Sequence, residues 1–214
     1  MPDFQIEKSL NIKGPIFGLD EAGRGPWCGP VVAACAYWPD YQMPMYLAEQ
    51  IDDSKKLTAK KREKLYGEIL KTSCIYGIGF ASADEIDGLN ILNATFLAMQ
   101  RALEQVYKNT TIRPEYALID GNRTPKNWSI PTQSVVKGDH LSLSIATASI
   151  LAKVTRDNFM KELSTHFPQY GWDKNMGYGT QEHIDAIRQY GITPYHRRSY
   201  APIQTYLTLH PNEK

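Results

Sequence analysis

The stretch that decides the fold is Ile-Phe-Gly-Leu-Asp-Glu-Ala-Gly-Arg-Gly-Pro-Trp-Cys-Gly-Pro, residues 16–30. Its apolar start, which runs to Leu19, predicts a short buried strand that ends on two adjacent carboxylates, Asp20 and Glu21. A glycine-rich turn follows at once, and a second apolar run begins at Val31. Neighbouring strand residues point to opposite faces, so the two carboxylates can share a site only where the strand gives way to the turn. The sequence places them at that point.

A carboxylate at a strand end is costly to bury unless a cation or a hydrogen-bond donor meets it. A divalent metal ion is the usual partner in such a place. A solvated turn in which one acid acts as a cap is the alternative. The pair Asp20 and Glu21 alone does not decide between the two interpretations.

Composition indicates an ordinary globular protein. The chain has 214 residues, of which 42% are hydrophobic and 22% charged, so it suits one large domain or a domain with a small appendage. The net charge of +1 does not by itself indicate a nucleic-acid binder. The second half of the chain carries basic residues that either form a local basic face or are scattered surface charges: Lys153, Arg156, Lys161, Lys174, Arg188, Arg197 and Arg198.

The cysteines and the N-terminus indicate a cytoplasmic protein. Cys28, Cys35 and Cys74 are an odd number without Cys-x-x-Cys spacing, which predicts neither a disulfide framework nor a zinc site. Reduced thiols are typical of the cytosol. The N-terminus lacks the apolar core of a signal peptide, and no apolar run approaches membrane length. We therefore expect a soluble, cytoplasmic protein.

Strand and helix patterns alternate along the chain. Beyond the opening strand pair, we predict strands at residues 75–81, 116–120 and 130–136. Helices are predicted after Thr58, after the capping box that starts at Ser82, over residues 90–108 and 141–163, and from Thr180 to Tyr190. This order favours an α/β fold with a mixed β-sheet flanked by helices. The C-terminal end is expected to be a loose, disordered tail.

The glycine turn is not a dinucleotide-binding fingerprint. Gly23, Arg24 and Gly25 lack the third glycine of that motif, and a strand rather than a helix follows them. Nucleotide-cofactor binding is therefore not predicted here.

Further carboxylates occupy positions like that of Asp20. Asp120 also closes an apolar strand before a glycine turn, so both acids emerge at one sheet edge, beside Glu21, if the two strands are neighbours. Asp139 joins them from the start of the long helix, although an N-cap role, worth about 1 kcal/mol, is the alternative for it. Oxygen ligands without His or Cys favour Mg²⁺ or Mn²⁺ over zinc. Such ions hold substrate phosphates, and a pair of them promotes in-line phosphoryl displacement.

Six motifs in order now resemble the ribonuclease HII family. They are Gly-Leu-Asp-Glu-Ala-Gly-Arg-Gly-Pro (18–26), Asp-Ser-Lys-Lys-Leu (53–57), Leu-Ile-Asp-Gly (118–121), Lys-Gly-Asp (137–139), the run 144–157, and Gly-Tyr-Gly-Thr (177–180) with His183, with His-Arg-Arg-Ser (196–199) in addition. The resemblance spans about residues 16–202. It implies a ribonuclease H-like mixed β-sheet flanked by helices over residues 1–165, and a small helical C-terminal region with a tail over residues 166–214.

The resemblance implies an activity and a set of site residues. The activity is metal-dependent cleavage of RNA in RNA–DNA hybrids and on the 5′ side of a single ribonucleotide in duplex DNA, leaving 3′-hydroxyl and 5′-phosphate ends. The residues that match the family's metal-binding and catalytic carboxylates are Asp20, Glu21, Asp120 and Asp139. Gly23, Arg24 and Gly25 match the loop that senses the ribose 2′-hydroxyl group. Tyr178 matches the tyrosine that packs on the neighbouring deoxyribose.

Basic residues supply further candidates for substrate binding. Ser54 and Lys55, with Lys56 beside them, are interpreted as a phosphate contact, with a solvated loop as the alternative. Lys153 and Arg156 either face the nucleic acid or pair with acids on their own helix. Asp157 is interpreted as structural. His166 and His183 are interpreted as loop and helix-start residues rather than bases, because phosphoryl transfer depends on positioning and charge.

Several features of the sequence leave alternatives open. Trp27 and Cys28 depart from the aliphatic and small residues usual in the family, which affects loop packing and touches no ligand. Residues 204–209 resemble a sliding-clamp peptide, although a disordered end is preferred. We expect a monomer. The rivals are ribonuclease HIII, disfavoured by the short segment before the first strand, an integrase-like core, and a silent hybrid-binding module, which would lack one of the four carboxylates.

Overall fold

The structure is a computed structural model that describes residues 1–51 and 57–211. Five strands form one sheet: β1 (Ile16–Ala22), β2 (Val31–Tyr37), β3 (Ile75–Ala81), β4 (Tyr116–Asp120) and β5 (Thr132–Val135). The α-helices of these residues are α1 (Gln5–Ser9), α2 (Met45–Ala48), α3 (Ala59–Ile69), α4 (Ala83–Leu89), α5 (Ile91–Asn109), α6 (Leu143–His166), α7 (Trp172–Asn175), α8 (Gln181–Tyr190) and α9 (Ala201–Leu209). Within the described ranges, no helix combines the length and apolar character that crossing a membrane requires.

The sheet is mixed, and its strand order is β3-β2-β1-β4-β5. Strand β1 is antiparallel to β2 and parallel to β4, and the register places Leu19 opposite Ile119. The remaining pairs are β2 with β3, which is antiparallel, and β4 with β5, which is parallel. The predicted mixed sheet is confirmed. Because β1 and β4 are parallel neighbours, the acids at their carboxyl ends emerge at the same edge.

Helices cover both faces of the sheet. Alternate residues of β2 belong to two separate apolar clusters, which explains why the whole run from Val31 to Ala36 is buried. Ala33 packs in one cluster with α5, whereas Ala34 packs in the other with α6. The central strands therefore lie between two layers of helix, and only their ends reach the surface.

Helix α6 is buried on most sides, as the sequence predicts, and it begins later than predicted. Its first ten residues, Leu143 to Ala152, are all buried. Ser142 is the N-cap, because its hydroxyl oxygen accepts the backbone N–H of Ile145 at 3.1 Å. Asp139 lies in a short 3₁₀ turn, Gly138–His140, before the helix. The alternative role of Asp139 as the N-cap is therefore wrong.

Other helix ends agree with the sequence patterns. Asn90 caps α5 through bonds from two backbone N–H groups, and Ser82 and Glu85 form the capping box of α4. Thr58 caps α3 and Thr180 caps α8. These side chains satisfy donors that the first turn of a helix leaves unpaired.

The C-terminal region is more ordered than the sequence indicates. Residues 204–209 belong to α9, so the expectation of a loose, disordered end there is wrong for the described residues. Ile203 and Leu207 are four positions apart and both are buried, in a cluster that includes Met160 of α6. This apolar stripe holds the helix against the protein, and Pro202 lies in the first turn, where proline is tolerated. The predicted division at residue 165 remains a prediction.

The three cysteines are free, in agreement with the sequence, and the structure shows that all three are also buried. Burial raises the pKa of the Cys74 thiol to about 12. The thiol groups therefore remain protonated at neutral pH and serve as small apolar side chains.

Candidate active site

The first acidic pair sits near the end of β1. The strand continues to Ala22, so the expectation that it gives way to the turn at Asp20 and Glu21 is wrong. Asp20 is buried, and its Oδ1 atom accepts the backbone N–H of Glu21 at 2.7 Å. Glu21 is partly exposed, and its Oε1 atom lies 3.3 Å from Nη1 of Arg24. The two carboxylates therefore have different surroundings.

Three carboxylates converge at this edge of the sheet. One oxygen each from Asp20, Asp120 and Asp139 lies within 4.8 Å of the others. Asp120 ends β4, the parallel neighbour of β1, and its Oδ1 atom accepts the backbone N–H of Gly138 at 2.7 Å. That bond fixes the turn that carries Asp139. Glu21, the fourth predicted ligand, lies outside this group.

The environment of Asp20 suits a cation. Burial raises its pKa well above the ordinary value, and the nearby carboxylates of Glu21 and Asp120 raise it further. A hydrogen bond with Ser149 of α6 acts in the opposite direction. A hard divalent cation would offset the repulsion among these oxygens, and the donor set contains only the oxygen ligands that such ions prefer. Ser149 was not predicted, because a serine inside an apolar helix has no sequence signal of its own.

Asp20 and Glu21 line a surface cavity of about 740 Å³. Its lining residues include Asp20, Glu21, Ala22, Gly23, Arg24, Gly25, Arg62, Ser149, Lys153, Arg156 and Tyr178. A second cavity, of about 310 Å³, contains Asp120 and shares Glu21 and Arg24 with the first. These two adjoining cavities, together called the groove, contain most of the predicted site residues that the structure describes.

A buried arginine holds the loop of residues 23–25 from below. Nη2 of Arg197 donates to the Gly23 carbonyl oxygen at 2.6 Å, and Nη1 donates to that of Arg24 at 3.0 Å. Its Nε atom donates to the Gly29 carbonyl oxygen at 2.9 Å. Because Arg197 holds the carbonyl groups of both Gly23 and Arg24, the backbone of the loop is fixed on each side of the Arg24 Cα atom. The role of Arg197 was not predicted beyond its place in a motif.

Arg156 lies beneath the same loop. It is buried and donates to the carbonyl oxygens of Cys28, Pro30 and Met176, each at 3.1 Å. Gly23 has φ +96°, and a Cβ atom there would lie 2.0 Å from Nε of Arg156, so only glycine fits. Burial, and then the charge of Arg197, lowers the pKa of Arg156 to about 10, so it remains a cation. This placement favours a supporting role, and a direct substrate contact by Arg156 stays a prediction.

Lys153 lies in the wall of the larger cavity. Its Nζ atom is 2.7 Å from Oδ1 of Asp157, whose other oxygen lies 4.0 Å from Arg62. Arg62, on α3, was not predicted as part of the site. Asp157 lies outside the carboxylate group, in agreement with its structural interpretation. The predicted phosphate contact at Ser54 and Lys55 lies outside the described residues.

Tyr178 lines the same cavity as Asp20 and the glycine loop. Its side chain is 49% exposed. A Cβ atom built on Gly25 would lie 3.4 Å from Cε1 of the tyrosine ring. The ring and the glycine loop therefore form two adjoining walls of the same groove.

Solved structures share this fold and chain length. The chain superposes on the ribonuclease H2 from Pyrococcus horikoshii OT3 with a TM-score of 0.73 at 26% identity, covering 92% of this chain and 99% of that one. It superposes on the RNase HII structure from the PCNA:RNase HII complex of Archaeoglobus fulgidus with a TM-score of 0.67 at 25% identity, covering 87% and 95%. The fold and the acidic centre define a ribonuclease H enzyme, a metal-binding endonuclease.

Sequence relatives give the family. The pattern of the family described as ribonuclease HII matches residues 17–203. The ribonuclease HII of Paramagnetospirillum magneticum is 48% identical over 207 residues, which are 97% of this chain and 99% of that protein. The chain belongs to the ribonuclease HII family.

Proposed function

We propose that this enzyme hydrolyses RNA in RNA–DNA hybrids and cleaves on the 5′ side of a single ribonucleotide in duplex DNA. The products are a 3′-hydroxyl and a 5′-phosphate end, and the role is ribonucleotide removal in DNA repair and replication. One observation carries the proposal. Asp20 lines the same cavity as the glycine loop and the Tyr178 ring, Asp120 lines the adjoining cavity, and Asp139 has an oxygen within 4.8 Å of an oxygen of each of these two acids.

The acidic group fits Mg²⁺ or Mn²⁺. Asp20, Asp120 and Asp139 would hold the ions, with Glu21 at the border of the two cavities completing the set. When bound, such ions supply positive charge at the phosphate and activate water for in-line displacement. The protein's own contribution is to hold the carboxylates rigidly: Asp20 through Ser149 and the Glu21 N–H group, and Asp120 through Gly138.

The glycine loop and Tyr178 explain recognition of a ribonucleotide beside DNA. The loop of residues 23–25 carries few side-chain atoms, so its backbone amides can approach a sugar closely. The 2′-hydroxyl group is the feature that distinguishes RNA from DNA, and backbone amides are suitable donors to it. The half-exposed ring of Tyr178 would pack on the next deoxyribose, where an added hydroxyl group would be crowded. Arg24, which is exposed beside Glu21, would contact the sugar–phosphate backbone of the nucleic acid.

Basic residues at the cavity would hold the phosphate backbone. Lys153 lines the cavity directly and is suited to a phosphate contact. Ser54 and Lys55 remain proposed phosphate contacts on the strength of the family motif. Arg156 would act on the substrate through the loop that it supports, since its three hydrogen bonds all go to backbone carbonyl oxygens.

The partners follow from the proposed substrate and from one structural relative. RNA–DNA hybrid and ribonucleotide-containing duplex DNA are the proposed substrates, and the protein is proposed to act as a monomer in the cytoplasm, where its free thiols stay reduced. A sliding clamp is a further proposed partner, because the Archaeoglobus fulgidus relative is described in complex with PCNA. Helix α9, with Leu209 73% exposed, is the segment proposed for that contact.

Cleavage of an end-labelled DNA duplex with one ribonucleotide tests the proposal. We expect a single cut on the 5′ side of the ribonucleotide with Mg²⁺ or Mn²⁺, no cut with chelator, and a product whose 3′ end a DNA polymerase extends. A duplex of the same sequence without ribose is the matched control. Binding of the ribonucleotide duplex without cleavage in either metal would indicate the silent binding module instead.

A further inference from the structure

A cluster of buried polar rings lies beside the groove and belongs to none of the catalytic groups described above. Nε1 of Trp172 donates to Nε2 of His183 at 3.1 Å, and Nε2 of His196 lies 3.1 Å from the same nitrogen. Both histidines are buried, with His183 0% exposed and His196 1% exposed. The other ring nitrogen of His183, Nδ1, lies 2.9 Å from the carbonyl oxygen of Tyr178. The cluster therefore ends at a residue of the proposed site.

The hydrogen-bond partners determine which nitrogen of His183 carries the proton. The Tyr178 carbonyl oxygen can only accept, so Nδ1 of His183 must be protonated and must donate. The indole N–H of Trp172 can only donate, so Nε2 of His183 must be unprotonated. His183 is therefore neutral, with its single N–H group directed at Tyr178.

The same accounting determines the state of His196. The backbone N–H of Thr193 donates to Nδ1 of His196 at 2.9 Å, so this nitrogen is an acceptor. Nε2 of His196 then carries the proton and donates to His183. A second proton on His183 would place an N–H group against the indole N–H group of Trp172, and a second proton on His196 would place one against the backbone N–H group of Thr193. Burial, in agreement, lowers the pKa of His183 and lowers that of His196 to about 3.

The His183 bond fixes the backbone of Tyr178 and leaves its side chain in the groove. The Tyr178 carbonyl oxygen also accepts the Thr180 N–H group at 2.8 Å, and the Tyr178 N–H group donates to Asn175 at 2.9 Å. Both backbone polar groups of Tyr178 are thus held by hydrogen bonds within the protein. The position of the ring relative to Gly25 depends on these bonds, since the side chain itself is half exposed.

We infer that His183 is a positioning residue for substrate selection: its Nδ1–H group holds the Tyr178 backbone so that the ring meets the sugar next to the cleaved bond. This inference rests on the proposed role of Tyr178. A neutral, buried imidazole suits the task because it offers one donor in a fixed direction and keeps the acceptor state of its second nitrogen across the neutral pH range. His183 is not a member of the acidic group and does not itself line the cavity, so its link to the site is the bond to the Tyr178 backbone.

A matched pair of substitutions tests the inference. His183→Asn places an amide nitrogen near the position of Nδ1, so it keeps the donor to Tyr178, whereas His183→Gln places its amide near the position of Nε2. The readout is the rate on a single embedded ribonucleotide divided by the rate on an all-RNA hybrid strand. We expect this ratio to fall about tenfold in His183→Gln and to stay within about twofold of the parent in His183→Asn. Equal ratios in the two variants, at any value, overturn the inference.

A double-mutant cycle shows whether His183 acts through Tyr178. In a Tyr178→Ala background, His183→Gln should leave the ratio unchanged, because the ring it positions has been removed. A tenfold fall that persists in that background overturns the inference. If both His183 variants fail to fold, ¹⁵N NMR of the unaltered protein tests the inference. A proton on Nε2 of His183 instead of on Nδ1 would contradict the proposed bond to Tyr178. Absence of a metal-dependent cut by the unaltered protein would instead refute the proposed function.

Discussion

The carboxylate of Asp120 accepts the backbone N–H group of Gly138 at 2.7 Å. This bond connects the end of β4 to the turn that carries Asp139, two segments separated by β5. Asp120 therefore has two tasks: one oxygen anchors the turn, and the carboxylate contributes charge to the acidic group. A substitution can separate these tasks, because an amide oxygen also accepts a hydrogen bond.

Asp120→Asn should abolish cleavage while it preserves the fold and hybrid binding. The amide oxygen keeps the bond to Gly138, but the charge that a metal ion requires is lost. We expect the rate to fall about 10²-fold to 10³-fold or more, with little change in the melting temperature. Asp185→Asn, on the exposed face of α8, is the control and should cleave at the parental rate. Normal turnover by Asp120→Asn would remove Asp120 from the metal site.

Tyr178→Ala should reduce cleavage at an embedded ribonucleotide about tenfold or more, because the ring that packs on the neighbouring sugar is lost. The loss of stability should be small, since the side chain is 49% exposed. Tyr178→Phe keeps the ring and should stay near the parental rate. An unchanged rate in Tyr178→Ala, measured on the same duplex, would assign the ring a packing role only.

Arg197→Met should destabilise the protein by about 2 to 4 kcal/mol, because it removes a buried guanidinium group and its donors to three backbone carbonyl groups, of which that of Gly29 is buried. Urea unfolding measures the change. Arg198→Met is the matched control, since Arg198 is the next residue and is exposed. Equal stability of the two variants would show that Arg197 does not hold the loop of residues 23–25.

The free energy of unfolding should fall as the pH drops from about 6.5 toward 5. Burial, and then the neighbouring His183, lowers the pKa of His196 to about 3 in the folded state, against 6.5 for an ordinary histidine. Between these values the unfolded chain binds more protons than the folded one, so stability increases with pH by up to about 1.4 kcal/mol per unit for this group. His196→Gln should show a smaller slope, whereas exposed His166→Gln should keep the parental slope. Identical slopes in the parent and His196→Gln would contradict the assignment.

Local sequence patterns predict most of the fold because its elements have strong local signals. Ser82 with Glu85 and Thr180 with Gly191 mark helix ends that the structure confirms. Helix α9 was missed because its stabilisation is largely tertiary: Ile203 is buried in a cluster that includes Met160 and Trp172 from other helices. Sequence position alone does not reveal such a partner.

The sequence predicts those parts of the candidate site in which a carboxylate lies at or near the end of a strand. Asp20 lies near the end of β1 and Asp120 ends β4, its parallel neighbour, and the sequence indicates that both lie at the same edge of the sheet. The start of α6 was misplaced because Asp139 and Ser142 are both good caps, and the choice depends on the turn that Asp120 anchors. The buried supports of the site, Arg156 and Arg197, look like surface charges in the sequence. Their role depends on carbonyl groups that only the folded chain brings near them.

X-ray diffraction from crystals containing Mn²⁺, recorded with anomalous scattering, tests the central claim most directly. We expect an anomalous peak within coordination distance of Asp20, Asp120 and Asp139, and its loss in Asp120→Asn crystals grown under the same conditions. A peak elsewhere, or none at this edge of the sheet at Mn²⁺ concentrations that support cleavage, would contradict the assignment of these carboxylates as the catalytic metal site.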